Sequence, residues 1–247
     1  MSVFSIISII YIVFFVLFIK NPEILSVLAI SYLALVVYGS FRISSNIYLK
    51  VKCFSRTFRK GLLLTFDDGP DPVNTQKILE ILEKKNVRAL FFITGSKAQE
   101  AQYLVKMISE KGHLTGNHSY SHSNFFPFYF RNTILAELQK TSGIIEDITG
   151  KKIFCFRPPF GVTNPGIAYA VRKLNYKTVG WSVRSLDTFW QERDKILMHV
   201  LKKISGGDII LFHDTVNGTV EMLDEFIDNC RLNGFEFIEP ERFLPED

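Results

Sequence analysis

The sequence predicts an α/β protein, a distorted barrel of about seven to eight β/α units, preceded by an N-terminal transmembrane helical hairpin. Three observations predict it. From residue 61 onward, short apolar runs alternate with amphipathic helical stretches, the pattern of parallel strands joined by crossover helices. No Gly-rich phosphate fingerprint follows any run, which counts against an open dinucleotide-binding sheet. Ahead of the alternation lie two uncharged apolar stretches, interrupted by Lys20-Asn21-Pro22-Glu23. The chain divides accordingly into a two-helix hairpin (1–41), a basic juxtamembrane linker (42–60) and an α/β domain (61–247).

The first apolar stretch runs from Ser2 to Ile19 and the second from Ile24 to Phe41. At ~1.5 Å per residue, each covers most of a bilayer core. Neither has a polar face, so a buried helix of a soluble core is disfavoured. The first lacks the basic start and small-residue cleavage site of a signal peptide, so both are assigned to the hairpin, with membrane lipid as its partner. Arg42, Lys50, Lys52, Arg56, Arg59 and Lys60 follow with no acid before Asp67. The positive-inside rule then favours a cytoplasmic domain, whereas a cell-wall substrate would favour the exterior.

A net charge of +4, with basic residues not interleaved with aromatics, gives no support for nucleic acid as a partner. Cys53, Cys155 and Cys230 are far apart and odd in number, which argues against a disulfide framework or a thiolate metal site. No obligate protein partner is evident.

Taken in order, the expected strands are 62–66, 87–93, 114–117, 153–156, 176–181, 208–212 and 235–238, each a short apolar run bounded by turn residues. The expected helices are 74–85, 97–111, 131–148, 164–174, 191–204 and 219–232. The first of these places Ile78, Leu79, Ile81 and Leu82 on one side. Gly150 falls where a helix needs a left-handed cap, and Asn164-Pro165 supplies a cap followed by Pro at the first helical position. In a parallel barrel, chemistry belongs at the carboxyl ends of the strands. Asp67 and Asp68 end the first expected strand there, and His118 and His122 follow the third. Arg157 follows the fourth, Asp187 the fifth, and His213 the sixth.

Neighbouring carboxylates on a strand point in different directions, so Asp67 and Asp68 can take different tasks, one holding a cation and the other a proton. His118 and His122 are four apart; on a helical turn they would sit about 6 Å from each other. With a carboxylate from the Asp67-Asp68 pair they offer two nitrogens and one oxygen, with open positions left for water. That set suits Zn²⁺, with other divalent transition metals possible. Arg157 precedes a stiff diproline; if buried it needs a carboxylate, and a bidentate bond to Asp67 or Asp187 would fix that side chain. His213 ends an apolar strand and, if it faces a metal site, can donate a proton. His113 and His199 lie outside these motifs and read as structural or surface residues.

Thr65–Pro70 (TFDDGP), His118–His122 (HSYSH), Arg157–Gly161 (RPPFG) and Ile210–Asp214 (ILFHD), in this order and spacing, resemble the motifs of the polysaccharide deacetylase family. This is the NodB-homology domain of carbohydrate esterase family 4, and the match runs from about residue 60 to the end. The resemblance implies a distorted (β/α) barrel and metal-dependent removal of N- or O-acetyl groups from sugars. Carried over by position, it makes Asp67 the catalytic base, Asp68, His118 and His122 the metal ligands, and Arg157 the group that orients the base. The backbone N–H of Phe160 would help bind the oxyanion, and Leu211 would line the acetyl pocket. His213 would be the acid, with Asp187 as its partner. One divalent ion is implied, Zn²⁺ first, with Co²⁺ or another as alternatives.

One motif departs. In Trp181–Thr188 the family often has Asp-x-x-Asp-Trp; here Arg184 replaces the first acid and Thr188 the Trp, leaving Trp190 as the candidate to refill that wall of the groove. The expected function is removal of acetyl groups from an N-acetylated saccharide by a membrane-anchored hydrolase. The alternatives are a deacylase or deformylase of a lipid-carrier-linked sugar at the inner membrane surface, and a membrane-tethered saccharide binder without turnover.

Overall fold

Leu62, Leu63 and Leu64 are all fully buried, and the strand they begin is the centre of the sheet. The computed structural model describes residues 3–245. Its strands are β1 (Val51–Lys52), β2 (Gly61–Gly69), β3 (Leu90–Ile93), β4 (Leu114–Asn117), β5 (Cys155–Phe156), β6 (Lys177–Val179), β7 (Val183–Arg184), β8 (Ile209–His213) and β9 (Glu236–Phe237). The order is β1-β6-β5-β4-β3-β2-β8-β7, with β9 beside the start of β2, and every ladder is parallel. Strands with no polar face are what a sheet covered on both sides requires. Phe66 stacks on Phe91 and Phe212 at centroid distances of 5.0 and 6.0 Å, tying β2 to both neighbours. Truncating a leucine such as Leu63 to Ala would cost about 2–5 kcal/mol at a site packed this fully.

The seven expected strands are all present. The two unexpected ones, β1 and β7, have two residues each, too short for any alternation to register. They are also the two edges of the sheet, so the barrel is curled but not closed by a ladder. Chain crossings bridge the seam instead. Residues 51–55 leave β6 and reach β8: Gly180 N–H bonds the Lys52 carbonyl (2.9 Å), and Ser55 N–H bonds that of Gly207 (2.8 Å). Beyond β6 the chain swings to β8, where Ser182 N–H bonds Ile209 O (3.0 Å) and Ser185 N–H bonds Leu211 O (3.1 Å).

The helices are α1 (Val3–Leu17), α2 (Pro22–Phe41), α3 (Asn74–Lys84), α4 (Gly95–Glu100), α5 (Gln102–Glu110), α6 (Arg131–Thr149), α7 (Pro165–Lys173), α8 (Asp187–Trp190), α9 (Arg193–Leu201), α10 (Asn217–Leu232) and α11 (Pro240–Phe243). α3 buries Ile78, Leu79 and Leu82, as its periodicity predicts. Gly150 ends α6 at φ 68°, and the Asn164 side chain caps α7 by accepting from Ile167 N–H (2.8 Å). The helix expected over 97–111 is two, α4 and α5, broken at Ala101 (φ −122°, ψ 52°).

α1 and α2 form a helical pair, joined by Tyr11–Ser31 (3.2 Å) and Ser8–Tyr32 (3.0 Å) hydrogen bonds. α2, with 20 residues, is long and apolar enough to cross a membrane, and α1 is a shorter apolar helix of 15. The carboxyl end of α2 is pinned to the domain: Thr163 donates from its N–H to Ser40 O and from Oγ1 to Gly39 O, both at 2.9 Å. Residues 42–60 are more than a basic linker. Ile43, Ile47, Tyr48 and Leu49 are buried, and β1 joins the sheet.

Candidate active site

At the end of β2 the register slips. Asp67 pairs with Phe92 and Gly69 with Ile93, which leaves Asp68 as the extra residue of a bulge, at φ 71°. A bulge re-aims a side chain. Asp67 and Asp68 therefore line the same cleft, instead of pointing in the different directions that strand alternation predicts. Gly69 then has no room for a side chain, because a Cβ would lie 2.0 Å from Asp214 Oδ2. Asp214 is buried and takes a hydrogen bond from Thr75 Oγ1 at 2.5 Å. Burial pushes its carboxyl up to about 7.

His118 and His122 meet through a tight loop, not the helical turn expected. β4 ends at Asn117, whose Nδ2 bonds Leu138 O (2.8 Å) and Ser142 Oγ (2.9 Å) while its Oδ1 accepts from Ser119 N–H (2.9 Å). Ser119 (φ 63°) and His122 (φ 47°) turn the chain through left-handed conformations. The two rings end 4.9 Å apart. Asp68 Oδ1 lies 3.3 Å from His118 Nε2 and 3.1 Å from His122 Nε2. His118 Nδ1 is 2.8 Å from the Arg157 carbonyl, a partner that can only accept, so Nδ1 carries a proton and Nε2, facing Asp68, is the atom that would offer a lone pair to a cation.

The donor atoms of Asp68, His118 and His122 all lie within 4.8 Å of one another, a separation and chemistry that fit one divalent cation with positions left open. Burial alone would raise the Asp68 carboxyl. Hydrogen bonds with His118 and His122 outweigh it and hold the group well below the usual carboxylate range.

Arg157, fully buried, chooses Asp67 over Asp187, and the contact is single-pronged, not bidentate. Nη1 lies 2.7 Å from both Asp67 Oδ1 and Thr65 Oγ1. The rest of the fork goes to the seam, with Nε on Val179 O (3.1 Å) and Nη2 on Gly180 O (2.7 Å). Burial lowers the guanidinium from its ordinary value, and the Asp67 carboxylate pulls the other way. Asp67 Oδ2 is left toward the ligand cluster, 3.8 Å from His118 Nε2.

Across the cleft, His213 Nδ1 sits 2.7 Å from Asp187 Oδ1, while Asp187 Oδ2 accepts from His213 N–H and Thr219 Oγ1, both at 2.7 Å. Burial alone would push His213 down; Asp187 outweighs it and carries the imidazole up to about 9. Asp187 is held below its ordinary value, its burial outweighed by the same pairing.

Phe160, Gly161, Trp181, Arg184, Thr188 and Leu211 complete a cleft of about 250 Å³. Trp190 is not among the lining residues. Its ring packs edge-on against His199, 4.5 Å away, and Trp181 supplies the indole instead. His113 is buried, accepts from Ala89 N–H (3.1 Å), and is pushed down to about 4 by burial, a structural residue. Thr65, Thr219 and Trp181 are site residues that the sequence alone does not single out, although Thr65 and Trp181 open two of the motifs. Thr65 had a signal, since it stands two before Asp67 on one strand and so shares its face.

A buried base-like carboxylate, a cluster fit for a cation and an opposed imidazole–carboxylate pair, gathered at the strand ends of a parallel sheet, define a hydrolase that activates water. The polysaccharide deacetylase family model matches residues 55–179, and the chain belongs to that family, whose members are carbohydrate N-deacetylases that generally depend on a divalent metal. A peptidoglycan-N-acetylglucosamine deacetylase of Bacillus cereus is 36% identical over 194 residues, covering 75% of this chain and 69% of the relative. The peptidoglycan-N-acetylmuramic acid deacetylase PdaA of Bacillus subtilis is 32% identical over 187 residues, covering 73% and 70%. A solved family-4 carbohydrate esterase pseudoenzyme from Bacillus anthracis superposes with a TM-score of 0.73 at 31% identity, over 78% of this chain and 68% of that one.

Proposed function

We propose that this chain removes acetyl groups from N-acetylated sugars of peptidoglycan, using a divalent cation, Zn²⁺ first, held by Asp68, His118 and His122. The observation that carries the reading is the three ligand atoms within 4.8 Å of one another, beside a carboxylate, Asp67, that is anchored through only one of its oxygens.

When bound, the cation supplies Lewis acidity to the acetyl carbonyl and to the attacking water. Asp67 takes the water's proton, and Arg157 keeps that carboxylate turned to the cleft. The Phe160 N–H meets the charge developing on the carbonyl oxygen. His213, carried up to about 9 by Asp187, is protonated at neutral pH and gives its proton to the leaving amine. Water and amide become acetate and a free amino sugar. Leu211 lines the cleft and suits the acetyl methyl.

Arg184 places a cation in the cleft wall, which favours a sugar bearing a carboxylate. N-acetylmuramic acid, named for the PdaA relative, is such a sugar. The lipid-carrier alternative draws no support from these relatives, whose names specify peptidoglycan sugars. α2 anchors the domain in a membrane, with α1 returning the chain across or into it. A peptidoglycan substrate favours the exterior, against the flanking charges, and a compartment reporter fused after the C-terminus decides the side.

The test is acetate and formate release from peptidoglycan and N-acetylated chito-oligosaccharides by purified protein, stripped of metal and then given Zn²⁺ or Co²⁺. Acetate that appears only with metal is expected; release of formate alone, or metal-independent release, overturns the reading. Asp67→Asn should lower kcat by about 10²–10⁴ with bound metal unchanged.

A further inference from the structure

The apolar surface of the hairpin does not stop at the end of α2. Phe41, its last residue, is 72% exposed and shares a groove of about 280 Å³ with Asn124, Pro127, Phe128, Phe160 and Val162. The segment beside that groove, residues 125–130, reads Phe-Phe-Pro-Phe-Tyr-Phe. Phe125, Phe128 and Phe130 are 70%, 81% and 86% exposed. Single exposed apolar side chains are ordinary, whereas a cluster of this kind marks a contact surface.

The fold holds these rings out. Phe126 is fully buried among Ile134, Leu138, Phe156 and Ile167 and anchors the segment. Phe126 N–H bonds Ser123 O (2.9 Å), Phe128 N–H bonds Phe125 O (2.8 Å), and Asn164 Nδ2 bonds Pro127 O (2.6 Å).

Continuity with α2 identifies what covers them. Val27, Ile30, Leu33 and Val37 on that helix are 66%, 69%, 61% and 47% exposed, a surface suited to hydrocarbon. Tyr38, Phe41 and Arg42 then form the aromatic and basic boundary typical of a helix leaving a bilayer. Phe41, Phe128 and Phe160 line one groove, so the exposed rings adjoin the end of that helix. Exposed Arg42 and Arg131 flank the patch with charge that complements anionic headgroups.

Resting on the reading of α2 as a membrane anchor, we infer that Phe125, Phe128 and Phe130 form a second membrane contact that seats the catalytic cleft at headgroup level. Phe160 belongs both to the groove and to the cleft, so the two openings adjoin. The substrate class narrows accordingly to N-acetyl sugars lying against the membrane surface.

The test uses the full chain in vesicles of phosphatidylcholine and phosphatidylglycerol, with Cys53→Ser and one environment-sensitive fluorophore on an introduced cysteine. Ile30→Cys reports the anchor, Phe128→Cys the proposed contact, and Leu232→Cys, at a position 85% exposed on α10, the solvent side. Lipids carrying spin labels at graded depths serve as quenchers. Expected are quenching at position 30 by deep labels, at 128 by shallow labels, and none at 232. Quenching at 30 with none at 128 overturns this inference and leaves the anchor standing. No quenching at 30 overturns both. A combined Phe125→Ser, Phe128→Ser, Phe130→Ser variant should keep its KM for a soluble N-acetylated oligosaccharide in detergent. A raised KM means that the rings stack on sugar, and the membrane contact is then wrong.

Discussion

At the cleft, buried charge is met by specific partners: Arg157 divides its guanidinium among Asp67, Thr65 and two seam carbonyls, and Asp187 is filled by His213 and Thr219. In the hairpin, by contrast, Ile12, Val16, Ile30 and Leu33 are each more than 60% exposed, and the two helices are tied side chain to side chain by hydroxyl hydrogen bonds. The first region is specified by directional bonds within the chain. The second is specified by its surroundings, because non-directional burial stabilises it only when something apolar covers it. Cleft geometry should therefore survive transfer to detergent, and hairpin geometry should follow the medium.

Breaking the cleft at its ligands should have the largest effect. His118→Ala is expected to lose bound metal and turnover together, read by metal content and acetate release; a variant that keeps both removes His118 from the ligand set. Next is Arg157→Met, which leaves Asp67 buried without its cation and should cost about 3–5 kcal/mol in denaturant unfolding. An unchanged midpoint would mean that the seam does not need the guanidinium.

Asp187→Asn sharpens the picture through pH. The folded-state value of His213, about 9, lies above its ordinary 6.5, so the stability the pair contributes is full below 6.5 and fades as pH rises through about 9. Asp187 is shifted down, so its share is present above 3.8 and is lost as pH falls through its lowered folded value. The alkaline fall of kcat/KM should begin near 9 in the parent chain and at clearly lower pH in Asp187→Asn. An unmoved limb would assign it to another group. The smallest effect should come from the hairpin: Val27→Ser in detergent should change domain stability by less than about 0.5 kcal/mol and leave acetate release untouched.

Much of this was legible in the chain, for reasons that differ by element. Strands such as Leu62–Phe66 and Ile209–Phe212 announce themselves because both faces are buried and no charged residue interrupts them. β1 and β7 do not, since each exists only because a neighbouring ladder recruits two residues. The α4–α5 break at Ala101 leaves no Gly or Pro behind to reveal it. The motif spacing pointed to the ligand cluster, but the geometry that builds it, a bulge at Asp68 and left-handed turns at Ser119 and His122, depends on the neighbouring strand and loop packing. Trp190 was misplaced for a related reason: counting along the chain cannot say that a short helix turns this indole toward His199 while Trp181 lines the cleft.

The seam gives Arg157 two employers. One side chain ties the Val179 and Gly180 carbonyls at the end of β6 to β2 and also holds Asp67, the proposed proton acceptor, so architecture and reactivity have a shared point of failure. A descendant could shed turnover at the cleft mouth, at Arg184 or Thr188, and keep its shape. Erasing Arg157 would leave Asp67 and the Val179 and Gly180 carbonyls without their buried partner, along with the chemistry. Inactive offspring of this design should therefore still carry that arginine, a relic of construction after its catalytic duty has gone.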